Sequence, residues 1–595
     1  MMVAGFGGML AVFVAGRLGM SQWTGIGPVE RAVLLSGLAF GLAGIPMLRQ
    51  GDVPLAATRE PRYAASLPRP QTRWEQIAGW AGHALMALAL LAYLGYLGIY
   101  VAYAAELFRW PYDYDQGESF ELYDAVLHSQ GEWPYRQADT FPFYSSNYPP
   151  VFHLLMLPLF PIFGQRLLAG RVLSFTITLL TAAMLGITVR RRTGGLFIPV
   201  IAALSYTASN FVYHVGPLCR QHLTMILFET LAVYFIAGAI DAGPEGARFR
   251  WRNTLVGLFF MLVAGYTKQL AVFTSVAIFG YLFLHKPWRA VGLAAGFGAV
   301  FGAVFLWLNW ATGGQWWLNT IAANVNAFLM PQLIGLTQTW LKVHTLYIVL
   351  AVAMVLYEAY RGRLSIYAFW FCASLGTGLM SGKWGAGAAY WVTSVAAAIV
   401  LTGFALGHAR DWIAQHKAQW TGAFVVLVPL LFLVQAPRML HLPTAGPFWG
   451  PVARVFGVEG ESVYGDYPYF DTVGYTQVGH FLLPRDYAGG ARIMEYVENA
   501  EGLVFSEEAA FTMLAGKPVV TNPTQLLNLY NNGLLDTSEL EAMIRAEAFD
   551  VVILRAQFYP HPVLVALGEH YGVVEHVPMK GFNYIIMLPL DEVGP

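Results

Sequence analysis

The sequence predicts a polytopic α-helical membrane protein that ends in a water-soluble α/β domain. Three observations carry this. Only 12% of the 595 residues are charged against 56% hydrophobic, about half the charge a soluble chain uses to solvate its surface. Apolar stretches near bilayer length recur along the first three quarters of the chain. From about residue 441 the apolar runs shorten to strand length and alternate with amphipathic stretches. The 18 Trp, 31 Tyr and 39 Phe suit side chains that anchor at headgroup level. A net charge of -1 gives no electrostatic case for nucleic acid. Two cysteines, Cys219 and Cys372, both in or beside apolar runs, argue against a disulfide framework or a cysteine metal site.

The apolar runs place spans at 3–22, 29–47, 77–105, 166–189, 196–214, 223–240, 253–267, 270–284, 290–310, 343–358, 364–380, 389–407 and 420–438, about thirteen in all. The first lacks a basic leader and reads as a retained anchor. Basic residues gather in alternate connections: Arg49 to Arg73, Arg190 to Arg192, Arg248 to Arg252, Lys286 and Arg289, Arg361 and Arg363, and Arg410 with Lys417. The positive-inside bias makes these cytoplasmic. With an odd number of spans, the N-terminus is then cytoplasmic and the C-terminal domain outside, in a multi-pass protein of the inner (plasma) membrane. The chain divides into residues 1–76, holding two spans and a basic loop; 77–440, the main transmembrane domain with a long external loop at 106–165; and 441–595, the soluble domain. In that tail "GLVFS", "KPVVT" and "DVVIL" read as strands and "LDTSELEAMIRAEA" as a helix capped near Asp536 or Thr537. It holds no phosphate loop, HExxH or GxSxG, so the tail is expected to be non-catalytic.

The chemistry concentrates in the 106–165 loop, which sets eight acids against two arginines. Asp115 and Glu118, three apart, share one face if a helix starts there, and could supply a general base and an acceptor-positioning group. Asp113 and Asp115 form a D-x-D that could hold a divalent cation against a phosphate. A solvated acidic loop accounts for the same residues.

The stretch also resembles the first external loop of the GT-C membrane glycosyltransferases, in the bacterial family-39-like branch that includes protein O-mannosyltransferases and lipid A aminoarabinose transferases. The resemblance rests on Asp115-Gln116-Gly117-Glu118, then Asn147-Tyr148-Pro149-Pro150 and "FGQRLLAGRVLS". It continues through "VGPLCRQHL", "GYTKQLAVF", "TGGQWWLNTIAANVNAF" and "SGKWGAGAAYW", from about residue 100 to 400. Two features depart from it: extra leading spans, and "GAGAAYW" where the family has a more polar run. It implies a polyprenyl-phosphate sugar donor and a glycan, lipid or protein acceptor. Asp115 would deprotonate the acceptor hydroxyl for inverting attack, with Glu118 beside it. Arg220, His222, Lys268 and Lys383 would meet the leaving phosphate, and Tyr148 would contact substrate. No cofactor is required; a divalent cation on Asp113 and Asp115 is permitted.

Each candidate has a plainer reading. Arg220 and His222 could snorkel at a helix end, Lys383 could be a turn residue in a glycine-rich stretch, and Trp316 and Trp317 fit an aromatic belt, though they could also stack on a sugar. His153 reads as structural. Lys268 sits between two short apolar segments, where an ionisable group is costly unless paired or wetted. A secondary transporter would show internal repeats and charges within its spans, and neither is evident; a non-catalytic assembly subunit would leave Asp115 and Glu118 without a role.

Overall fold

The computed structural model describes residues 72–243, 246–416, 418–439 and 481–593, with Arg62, Tyr63, Ser66, Leu67 and Pro451. The expected spans 3–22 and 29–47, the arginines Arg49, Arg59 and Arg69, and most of 440–480 lie outside the described residues. Five described helices are long and apolar enough to cross a bilayer alone: Arg73–Arg109, Leu167–Thr193, Pro287–Ala311, Ala388–His416 and Thr421–Met439. Met330–Val343 and Thr345–Tyr360 make a sixth if the pair, bent by 88°, is one span. The remaining expected spans are shorter. Those at 196–214, 223–240, 253–267 and 270–284 are helices Phe197–Ala208, His222–Ala237, Trp251–Gly265 and Gln269–His285, and that at 364–380 is Ile366–Leu379, 14 residues long. All fall at or below the shortest length that spans about 30 Å of hydrocarbon. Several break where the chain lines one cavity that Asp115, Arg220 and Lys268 share, and irregular backbone at membrane depth is tolerated only where it is buried in protein or lines a wet cavity.

Local sequence explains the long elements. Arg73–Arg109 starts at a capping box in which Thr72 Oγ1 accepts the Glu75 N–H at 3.2 Å and Glu75 returns the bond to the Thr72 N–H at 3.1 Å. The small-residue run "VTSVAAAIVLTG", residues 392–403 of helix Val392–His416, is buried at every position, so this part of the helix is the axis of the bundle. A Cβ on Gly403 would lie 2.6 Å from Val189, so glycine is what lets this helix approach Leu167–Thr193.

The tail forms a four-stranded sheet: β3 (Leu503–Ser506), β4 (Phe549–Leu554), β6 (Phe582–Pro589) and β5 (Tyr571–Met579), in that order. A short hairpin, β1 (Ile240–Gly243) and β2 (Gly246–Phe249), precedes it in the chain. Strands β3 and β4 are parallel; the other pairs are antiparallel. The expected strands "GLVFS" and "DVVIL" are β3 and β4, and the expected helix is Ser538–Arg545. "KPVVT" is no strand. It makes a single bridge, Thr521 to Phe143, because it packs against the external loop and not within the sheet. Helix Pro484–Asn499 lies on β5.

Candidate active site

The acidic loop folds around one turn. Gly117 takes a left-handed conformation at φ 91° and caps helix Glu118–Ser129, and a Cβ there would press on the Arg220 guanidinium at 3.3 Å. The helix therefore starts at Glu118, and Asp115 lies before it. The two carboxylates do not share a face, contrary to the reading from spacing.

Asp115 lines a cavity of about 360 Å³. Its Oδ2 accepts Arg220 Nη2 at 2.7 Å and Nε at 3.1 Å, while its buried Oδ1 has no hydrogen-bond partner among the described residues. Glu118 points the other way and does not line the cavity. It is fully buried against Arg171, whose Nε and Nη2 reach its two oxygens at 3.0 and 2.8 Å. It also accepts the backbone N–H of Cys219 and of Tyr114, each at 2.8 Å. Burial alone would raise its pKa, but Arg171 and these N–H groups hold it at about 2. The expected acceptor contact from Glu118 is thus corrected to a buried ion pair that braces the loop.

The D-x-D does not converge either. Asp113 is buried with both oxygens on Ser119, Oδ1 on its N–H at 2.6 Å and Oδ2 on its hydroxyl at 2.5 Å. Burial, with the charges of Glu508 and Glu118, pushes its carboxyl up to about 7. Asp113 and Asp115 do not fit a shared metal. The described residues that could hold one are Glu121, Asp124 and His153, buried with ligand atoms within 4.8 Å of one another. Asp124 there already accepts the hydroxyls of Tyr144, at 2.7 Å, and Ser146, and His153 Nε2 pairs with Glu121 at 2.8 Å, in keeping with a structural His153.

Lys268 is buried in the break between Trp251–Gly265 and Gln269–His285 and lines the same cavity as Asp115. Its ammonium lies 2.9 Å from His222 Nδ1 and 4.7 Å from the centre of the Tyr148 ring. Burial, with Arg220 and Lys383 nearby and Glu121 opposing, lowers its pKa to about 7. Arg220, His222 and Tyr148 also line the cavity. Lys383 does not: its Nζ faces Asn324 Oδ1 at 3.5 Å, while its neighbour Trp384 takes the cavity wall. Trp316 is buried under Tyr135 and Tyr266.

No protein-family model and no curated protein matches the sequence. Among solved structures, ArnT from Cupriavidus metallidurans bound to undecaprenyl phosphate is similar with a TM-score of 0.52 at 14% identity, over 87% of this chain and 99% of ArnT. The same ArnT in the apo state gives 0.49 at 12% identity, over 84% and 99%. Archaeal oligosaccharyltransferase AglB from Archaeoglobus fulgidus, with an inhibitory peptide and a dolichol-phosphate, gives 0.40 at 12% identity, over 82% and 74%.

The chain shares the fold of ArnT. Two features of the site escape the sequence reading. Arg171 sits in an apolar run, and an ionisable residue inside a span was signal enough to single it out. The second is the tail. Asn522, Thr524 and Phe558 line the cavity, and Phe558 meets Trp384 edge-on at 5.5 Å. The tail is a wall of the site and not an appendage.

Proposed function

We propose that this protein transfers a sugar from a polyprenyl-phosphate donor to an acceptor hydroxyl, with inversion, on the extracytoplasmic face of the plasma membrane. The observation that carries this reading is that one cavity is lined by both Asp115, whose buried Oδ1 has no hydrogen-bond partner among the described residues, and the buried Lys268. Likeness of fold to a protein bound to undecaprenyl phosphate supports the lipid-phosphate donor.

In this reading Arg220 holds Asp115 in place through Oδ2 and leaves Oδ1 to take the acceptor proton. The acceptor oxygen attacks the anomeric carbon as the bond from that carbon to the phosphate oxygen breaks. The electron pair leaves with polyprenyl phosphate, whose growing charge meets Lys268 and the Arg220 guanidinium. His222 orients the lysine, and Tyr148 walls it. Trp384 and Phe558 lie on the tail side of the cavity, where an acceptor could stack.

The decisive experiment incubates the purified full chain with a panel of labelled polyprenyl-phosphate sugars and measures release of polyprenyl phosphate with transfer of label. Parent protein without turnover on any donor, in the presence of glycan, lipid and peptide acceptors, would count against the reading. EDTA is expected to leave turnover in place, because the chain's own cations meet the leaving group. Loss on chelation, restored by Mg2+ or Mn2+, would instead assign a metal, with Glu121 at the cavity edge as its first candidate ligand.

A further inference from the structure

The turn that carries Asp115 is held from two sides. Below it, Glu118 Oε2 accepts the N–H groups of Tyr114 and Asp115 at 2.8 and 3.3 Å. Above it stands the C-terminal domain. Lys580 Nζ donates to the carbonyl of Asp113 at 2.6 Å and to that of Tyr114, and lies 4.2 Å from the centre of the Tyr114 ring. Glu507 Oε1 accepts Gln116 Nε2 at 3.2 Å. Glu507 is itself fixed, because it accepts the backbone N–H groups of Arg555, Ala556, Gln557 and Phe558 at 2.6 to 3.0 Å.

The placement of Lys580 is unusual in itself. Lys580 and Gly581 form the two-residue tip of the β5–β6 hairpin, with φ of 53° and 76°. Such a tip favours Asn-Gly or Gly-Gly, because both residues must take positive φ. A lysine there accepts backbone strain, and a hairpin tip normally points its side chain into water. This one is 3% exposed, and its amine is out of water for the sake of two carbonyls. Strain together with a desolvated amine marks a position held for more than the hairpin's own stability.

We propose that the C-terminal domain is a positioning device for the general base, with Lys580 gripping the backbone before Asp115 and Glu507 holding the side chain of Gln116 after it. Neither residue touches substrate; both act through Asp115. The proposal rests on the reading of Asp115 as the base. It assigns the domain a direct part in rate, since a base displaced by about 1 Å can lose about 100-fold.

The test uses the full chain with Lys580→Asn. Asparagine suits the positive-φ tip, so the hairpin keeps its turn while the reach to the loop is lost. Glu507→Gln is the second variant, and Asp115→Asn runs in parallel. Sites able to bind undecaprenyl phosphate are counted by titration, and turnover is expressed per such site. Lys580→Asn is expected to lose at least about tenfold in kcat, with the acceptor KM and undecaprenyl phosphate affinity close to parent. Hydrogen exchange should quicken at the amides of residues 113–117 and stay unchanged in β5 and β6. Parental kcat per site, or parental exchange at 113–117, would overturn the proposal. Parental turnover in Asp115→Asn would instead bring down the base assignment; the grip, read by exchange without chemistry, stands or falls separately.

Discussion

Asp115 lines the cavity and its buried Oδ1 has no hydrogen-bond partner among the described residues, whereas both oxygens of Glu118 are spent on Arg171 and backbone N–H groups. The two carboxylates should therefore fail in different ways when neutralised. Asp115→Asn keeps size and loses the basic oxygen, so turnover per folded protein should fall about 100-fold or more while donor affinity survives; near-parental turnover would exclude it as the base. Glu118→Gln leaves a buried guanidinium unpaired, a loss of about 3–5 kcal/mol, so its effect should appear as lower folded yield and thermal stability. Lys268 adds a pH dependence whose sign is fixed. A lysine held at about 7 is charged below that pH and neutral above it. The proposed polyprenyl-phosphate sugar is a phosphodiester and does not titrate nearby, so its affinity should weaken as pH rises through 7 toward the ordinary lysine range. Lys268→Ala should bind donor weakly at every pH. A parent affinity that is flat across this range would remove Lys268 from the phosphate site.

At the scale of elements, the sequence makes the long apolar helices and the strands β3 and β4 legible, because their periodicities are local properties. It also marks Lys268 as costly for its depth, and the cavity shows where that cost is met. What spacing cannot reveal is where a helix begins. Gly117 moves the start to Glu118, and one residue's conformation sends Asp115 and Glu118 to opposite sides. "KPVVT" misleads for a related reason: its apolar pattern serves contact with the external loop, a partner nearly 380 residues earlier in the chain. Lys383 and Trp384 show the same limit, since adjacent residues in an irregular segment exchange roles with one turn of backbone. The aromatic pair Trp384–Phe558 joins two elements that sequence keeps apart, and its position at the cavity wall yields a prediction. Phe558→Ala should raise the acceptor KM by about tenfold, the worth of one lost aromatic contact, with donor affinity unchanged. A change in donor affinity alone would place Phe558 on the other substrate.

The whole molecule has two chemically distinct ends. Helix Leu167–Thr193 runs about 40 Å between them. Its first turns carry Arg171 to the Asp115 loop, and its last carries Arg190 to Arg192. At that second end Arg410 donates to the carbonyls of Thr193, at 2.5 Å, and Tyr63, and Arg192 faces Glu358 at 3.8 Å. The basic connections at 190–192, 361–363 and 410 thus meet on one side of the bundle. The cavity, the acidic loop and the C-terminal domain share the other, where Arg438 Nη1 reaches Thr345 at the start of its helix. Lys and Arg gathered at one end are the bias that orients a membrane chain, and the proposed reading therefore puts the basic end in the cytoplasm. A phosphatase that works only outside the cytoplasm should accordingly be active when fused after Arg438 and inactive when fused after Arg192. The reverse pattern would turn the molecule over. Asp115 and Lys268 would still share a cavity, but that cavity would open to the cytoplasm, and the assignment of the reaction to the outer face would be lost.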